Sequence, residues 1–374
     1  MIFLEAFADV PDPRDYTARH DLTEILFVAL AAMLCGAKTC TEMAFFAKTR
    51  LSLLRQIISL EHGPPSHDTF SRVLRALDPE AFGQAFQRFM TTFGQQARPA
   101  GGRQLAVDGK SLRRAYDHGK AHMPPLVVSV LDCDTFMSLA QGVAAEGGEA
   151  ACAINALKLL SLKGCTVTAD ALHCHRRMTV AIRQAGGDYV LTLKANQSAL
   201  AKQAKAALDA AALDATLDAT LGPKLVVAQT EDRAHGRHEI RRAFVIPFAQ
   251  PDGKNALQDL KALARIEVSR TLDGKTSHEV RAYVLSRKIP PHDLLRIVRN
   301  HWAIENRLHW QLDVHMAEDQ SRSRKDNGPA NLALLRRFTL NVLRNDPEKI
   351  PLRHKQLKAS WANDDLILAM THMR

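Results

Sequence analysis

An α/β fold, with a helical stretch ahead of it and a β-rich insertion inside it, is what this chain of 374 residues predicts. Three observations carry that prediction. Apolar residues recur at helical spacing through the first hundred positions. Short β-branched runs begin after a Pro/Gly stretch at Ala97–Arg103. Strands then alternate with helices until a basic, helical last quarter.

In chain order, Leu22–Leu34 is apolar nearly all round, the pattern of a buried helix, and Glu42–Ile58 continues at helical period. At Gly63-Pro64-Pro65-Ser66 the helix breaks, and Ser66 is placed to N-cap the next, which runs through Val73 and Leu77. A helix, a tight break and a second helix bearing Arg72 and Arg75 has the layout of a DNA-reading unit. Beyond Arg103, Gln104–Val107, Leu126–Leu131 and Phe136–Ala144 predict three strands. A helix (Glu149–Leu162), a strand (Cys165–Ala169), a helix (His175–Ala185) and a strand (Tyr189–Lys194) follow. Three strands and then alternating helix and strand is the order of a ribonuclease-H-like core. In that order Asp108 closes the first strand and Asp170 the fourth, and neighbouring strands would bring both to one sheet edge.

The alanine-rich Ala199–Thr220 reads as a solvated connecting helix. Lys224–Phe248 and Arg265–Ser286 predict a β-rich insertion with Asp273-Gly274 as a hairpin turn. The last long helix follows Pro290-Pro291, with Leu294, Ile297, Val298 and Trp302 as its apolar stripe. His301, Glu305 and His309 fall at i, i+4 and i+8 and would share one face. The predicted division is a helical N-terminal domain over 1–98, the first part of the α/β core over 99–198, a connector and insertion over 199–289, and a helical C-terminal part over 290–374.

The net charge is +10 and the pI near 9.4, which suits a polyanionic partner. From Arg287 to Arg374, 16 Lys and Arg stand against 10 Asp and Glu, so most of the excess lies in the quarter that carries Glu305. Six cysteines without a CxxC spacing read as small hydrophobes of a reducing compartment. His173-Cys174-His175 has no second ligand cluster at finger-like spacing, which argues against zinc. Ile25–Ala37 is too short to span a bilayer and Met1-Ile2-Phe3-Leu4 lacks the basic flank of a signal peptide. The expected location is cytoplasmic, at the nucleoid when bound to DNA, with no membrane partner.

Asp108, Asp170 and Glu305 offer hard oxygen ligands suited to Mg2+ or Mn2+. Two such ions about 4 Å apart activate a water or a 3′-hydroxyl for in-line displacement at phosphorus. Lys110 and Arg113, just after the first acid, are placed for the scissile strand.

The motifs around these acids resemble those of the H-repeat-associated branch of the insertion-sequence DDE transposases, over essentially the whole chain. The resemblance rests on Val10-Pro11-Asp12-Pro13-Arg14, Pro65-Ser66-His67-Asp68-Thr69-Phe70, Val107-Asp108-Gly109-Lys110 and Thr168-Ala169-Asp170-Ala171. Leu193-Lys194-Ala195-Asn196-Gln197 and His235-Gly236-Arg237-His238-Glu239 add to it. The most specific run is Arg299–Arg324, with His301-Trp302-Ala303-Ile304-Glu305-Asn306, Leu308-His309-Trp310, Leu312-Asp313-Val314 and Glu318-Asp319; Asn331–Arg336 and Leu340-Asn341 extend it.

The resemblance implies a ribonuclease-H-like domain interrupted by a β-rich insertion, with Asp108, Asp170 and Glu305 as catalytic and metal-binding acids for two Mg2+ or Mn2+ ions. It implies cleavage at transposon ends followed by strand transfer, on double-stranded terminal inverted repeats and target DNA, with a homodimer suited to joining two ends. Expected DNA contacts are Lys110, Arg113, Lys194, Asn196, His235, Arg237, Arg299, His301, Arg322 and Arg324. Glu305, the acid of a Trp-x-Ile-Glu helix, is preferred to the nearby Glu318 and Asp319. Glu146-Gly147-Gly148-Glu149 stands where the family has Lys-Ser-Asn-Glu, and His175 where a glutamine is expected. These departures leave a DNA-binding remnant without chemistry as the alternative.

Overall fold

The computed structural model describes residues 2–93, 102–115, 125–144, 148–194, 198–217, 225–234, 236–250, 253–254 and 256–371. The chain divides into two compact units, one comprising Met1–Ala100, Gly109–Leu159 and Ile304–Arg374, the other Gly101–Asp108 and Leu160–Ala303.

The first unit is mostly helical. Its N-terminal helices are α1 (Ile2–Phe7), α2 (Leu22–Leu34), α3 (Cys40–Thr49), α4 (Leu51–Leu54), α5 (His67–Ala76) and α6 (Pro79–Phe93). Ser66 caps α5 as expected, its hydroxyl accepting the Thr69 N–H at 3.2 Å. The end of strand β1 (Gln104–Ser111), the antiparallel strands β2 (Leu126–Asp132) and β3 (Ser138–Val143), and α7 (Gly148–Lys158) follow, in sheet order β3-β2-β1.

The sheet's remaining strands lie in the second unit: β4 (Thr166–Ala169), β5 (Asp188–Leu193), β6 (Val227–Ala234), β7 (Arg237–Pro247), β8 (Ala262–Leu272) and β9 (Lys275–Leu285). Its helices are α8 (Arg176–Gln184), α9 (Ser198–Leu217) and α10 (Pro291–His301). With the start of β1, the strand order there is β1-β4-β5-β9-β8-β7-β6. The pairs β1/β4 and β4/β5 are parallel, and every pair from β5/β9 outward is antiparallel. Asp273 (φ 49°) and Gly274 (φ 74°) form the predicted turn between β8 and β9, both in the left-handed region a two-residue hairpin requires. Leu294, Leu295 and Ile297 of α10 are buried with Val190, Ala243, Ala262, Ile266 and Tyr283. The alanine-rich α9 is not fully solvated: Leu200, Ala204 and Leu208, four residues apart, are buried.

Back in the first unit, the chain closes with α11 (Trp310–Val314), α12 (Gly328–Asn345), α13 (Leu352–Trp361) and α14 (Asn363–Thr371). Helix α12 is buried from Gly328 to Leu343. The Phe338 ring meets Phe3, Phe7, Phe86 and Phe89 with centroids 5.8, 5.9, 5.3 and 4.5 Å away. The two asparagines of the Asn331–Asn341 run serve packing: Asn331 donates to the Leu74 and Leu77 carbonyls that end α5, and Asn341 exchanges hydrogen bonds with the Ser138 backbone.

Two expectations need correction. Asp108 does not close the first strand, because β1 continues through it to Ser111. The helix after Pro290-Pro291 is not one α-helix through Glu305. Helix α10 ends at His301, and Ile304–His309 is a π-helical segment. Its i→i+5 bonding widens each turn, so the i, i+4, i+8 register from His301 does not carry through.

Candidate active site

Strand register places the first two acids. Gln104 to Val107 pair in parallel with Thr166 to Ala169 one for one. Asp108 is the next residue on β1 and Asp170 the first residue after β4, and neighbouring strands lie about 4.8 Å apart. Leu105, Ala106, Val107, Val167 and Ala169 are buried and anchor both strands. The acids follow where the apolar run stops, because an ionised carboxylate is tolerated only where water or a partner reaches it. Asp108 stays in the strand, half-buried. Asp170 turns out, exposed, and caps the 3-10 turn Ala171–His173 by accepting the Leu172 N–H at 2.9 Å.

Beneath this pair lies a polar network within the same unit. The Thr168 hydroxyl donates to the Leu105 carbonyl at 3.3 Å, and its oxygen is 3.0 Å from His301 Nδ1. A hydroxyl has one proton, so Nδ1 is the donor in that contact and Nε2 carries the imidazole lone pair. Burial pushes the His301 pKa down to about 4 against the opposing pull of Asp170. His301 is therefore neutral near pH 7, and a neutral imidazole makes no cationic contact with phosphate.

Glu305 is exposed in the π segment, between the buried Ile304 and Leu308. His309, at the end of the segment, is pushed down to about 3 by burial, helped by Arg337 and Lys110. The Arg307 guanidinium lies over the Phe136 ring at 5.3 Å, and its carbonyl accepts from Arg344. Among the described residues, no group of three or more His, Cys, Asp or Glu side chains is gathered to hold a metal ion.

The basic residues fare differently from one another. Lys110 is buried, and its ammonium lies 2.7 Å from Asp319 Oδ1, 2.8 Å from Asp313 Oδ1 and 3.7 Å from Glu318 Oε2. Arg113 is 79% exposed and reaches Asp319 at 3.4 Å. Lys194 and Arg322 are exposed. Arg237 pairs with Glu239 at 3.6 Å and Arg299 with Asp232 at 2.7 Å, both keeping half or more of the side chain in solvent. Arg324 Nε donates to the Arg114 carbonyl at 3.0 Å. Asn196 and His235 lie outside the described residues, as do Glu146 and Gly147.

Sequence reasoning left three features unread. Asp313 holds Lys110, and desolvation raises its pKa despite that lysine. Glu318, weighed as a rival to Glu305, is fully buried and paired with the equally buried Arg337, whose Nη1 donates to Glu318 Oε1 at 2.9 Å and whose Nε donates to Ser129 Oγ at 2.9 Å. A buried carboxylate bound by arginine is a structural group. Third, Gly109 has the Glu149 carboxylate packed against it: a Cβ there would meet Glu149 Oε1 at 2.6 Å, so a larger residue would displace that side chain. The glycine of Asp108-Gly109-Lys110 was the one visible hint of that contact.

Comparison with known proteins gives the class. Residues 99–342 match the family described as "Transposase DDE domain", and residues 4–90 match its companion, described as "DDE_Tnp_1-associated". The putative protein YbfL of Escherichia coli is 30% identical over 96% of this chain and 94% of its own. The H repeat-associated putative transposase YhhI of the same organism is 29% identical over the same shares. An uncharacterised protein of the dhlA 3′ region of Xanthobacter autotrophicus is 35% identical over 76% of this chain and 94% of its own. The chain belongs to the DDE transposases, in the H-repeat-associated insertion-sequence group. It is an insertion-sequence transposase, an enzyme of the DDE type.

Proposed function

We propose that this transposase cleaves DNA at the terminal inverted repeats of its element and joins the freed ends to target DNA, using Asp108, Asp170 and Glu305. The observation that supports the reading is the parallel β1/β4 register, which pairs Val107 with Ala169, the residues just before Asp108 and Asp170, inside the matched transposase domain. The strand order and the parallel pairs around β4 support a ribonuclease-H-like core.

The donors suit Mg2+ or Mn2+: two strand-borne carboxylates side by side and a third, exposed, on the π segment. Bound there, two such ions supply Lewis-acid activation of the attacking oxygen and stabilise the leaving one. The chain's own groups supply the setting. The β1/β4 ladder holds in register the residues that lead into Asp108 and Asp170, and the Leu172 N–H orients the Asp170 carboxylate. The neutral imidazole of His301 braces Thr168, the second residue before Asp170. Arg113, Lys194, Arg237, Arg299, Arg322 and Arg324 are the basic groups proposed for the DNA backbone, with Asn196 and His235 alongside them. Residues 1–98, which include the capped helix α5 with Arg72 and Arg75, are proposed to bind the ends, and 290–374 to complete the catalytic part around the insertion over 199–289. Two ends must be held together, which a homodimer would do. The family match does not favour a remnant without chemistry.

The test is cleavage of a duplex carrying the element's terminal repeat. Asp108→Asn, Asp170→Asn and Glu305→Gln should each abolish Mg2+-dependent cleavage while leaving duplex affinity within about threefold, since few phosphate contacts change. Undiminished cleavage by any one variant removes that residue from the catalytic set.

A further inference from the structure

Lys110 follows the first acid by two residues, so its surroundings govern where the end of β1 lies. Its ammonium does not face solvent but is enclosed by Asp313 and Asp319 at 2.8 and 2.7 Å, with Glu318 at 3.7 Å. A buried ammonium is tolerated only when paired in this way. The acids that hold it are themselves fixed. Glu318 is clamped by Arg337, which donates as well to Ser129 on β2 and to the Ala333 carbonyl on its own helix α12. Asp313 lies on α11, the helix that continues directly from the π segment bearing Glu305. One ion-paired chain therefore runs from the residue next but one to Asp108, through Asp313, to the helix that ends the Glu305 segment.

We propose that Lys110 is a positioning residue: clasped by Asp313 and Asp319, it fixes the π segment that presents Glu305 against the end of β1. It acts through those carboxylates and not by direct contact with DNA. This inference rests on the assignment of Glu305 as a metal-holding acid. π turns close i→i+5 bonds in place of i→i+4 ones and are rare, mostly single turns, so neighbouring side chains can decide whether one is held. The Lys110 clasp, the Arg307–Arg344 contact and the Arg307 guanidinium over the Phe136 ring are such groups.

The experiment compares the full-length wild type, Lys110→Met, Lys110→Arg, Asp313→Asn/Asp319→Asn and the combination of Lys110→Met with the two asparagine changes. The probes are Mn2+-dependent nicking of supercoiled plasmid, affinity for the same DNA, and amide hydrogen exchange over residues 304–314 without DNA. Lys110→Met should raise the Mn2+ concentration for half-maximal nicking by about tenfold, the size of a lost outer-shell contact at a metal site. Its DNA affinity should be unchanged, and exchange over 304–314 should quicken. Lys110→Arg should restore most of the effect, and the combined variant should add nothing to Lys110→Met alone. Weakened DNA affinity with unchanged Mn2+ dependence would overturn the proposal in favour of a direct DNA contact, and unchanged exchange over 304–314 would overturn it whatever the nicking. Asp108→Asn serves as the separate control: if it nicks as well as wild type, the catalytic assignment fails, while the exchange data still decide the clasp.

Discussion

Asp108 and Asp170 are placed by a hydrogen-bonded strand ladder, whereas Glu305 stands on a π segment whose neighbours are tied down by side chains. The ladder is backbone, repeated over four residue pairs, and a single substitution leaves it standing. The π segment depends on a few particular groups, among them Lys110, Asp313 and Arg344. The three acids proposed for the chemistry thus differ in how they can be dislodged. Substituting Asp108 or Asp170 should act on that acid alone, while changes at Lys110, Asp313 or Asp319 should reach Glu305.

The largest effect on the second region should come from Arg337→Ala. That change removes the buried guanidinium that donates to the buried Glu318 carboxyl, and breaking such a pair costs about 3–5 kcal/mol. Denaturant unfolding should show the loss directly, and Glu318→Ala should show a similar one from the other side. If either variant keeps wild-type stability, Glu318 is not the structural anchor described here.

Acid should weaken both regions, by a smaller amount. His301 and His309 are held neutral in the folded protein, with pKa values near 4 and near 3, below the ordinary value of 6.5. Below pH 6.5 the unfolded chain takes up protons that the folded chain refuses, so stability is present above 6.5 and is lost as pH falls towards 4. Each imidazole should cost up to about 2 kcal/mol at pH 5. Unfolding midpoints between pH 7 and 5 should decline accordingly, and His309→Asn should flatten part of that slope. A flat profile in the wild type would contradict the burial of both rings.

Much of the fold could be read from local pattern. The apolar helix α2, the Ser66 cap of α5 and the Asp273-Gly274 hairpin all depend on residues close in sequence, where propensity and spacing act directly. That β1 and β4 are neighbours was readable as well, since the expected order of strands allowed the runs before Asp108 and Asp170 to pair. The π segment was not, since six residues with i→i+5 bonding leave no periodic mark distinct from a helix. The Lys110 clasp joins residues about two hundred positions apart, and no local signal distinguishes a buried lysine from one aimed at DNA. The same is true of Glu318: as one of two adjacent acids it looked like a rival ligand, and only its burial against Arg337 shows its structural role.

The central claim is that Asp108, Asp170 and Glu305 hold the metal. The most direct measurement replaces Asp108 or Glu305 with cysteine and compares cleavage supported by Mg2+ with that supported by the thiophilic ions Mn2+ and Cd2+, because a thiolate disfavours the hardest of the three. Both variants should be inactive with Mg2+ and recover cleavage with Mn2+ or Cd2+. Equal cleavage by the cysteine variants and the wild type in Mg2+ would contradict the claim.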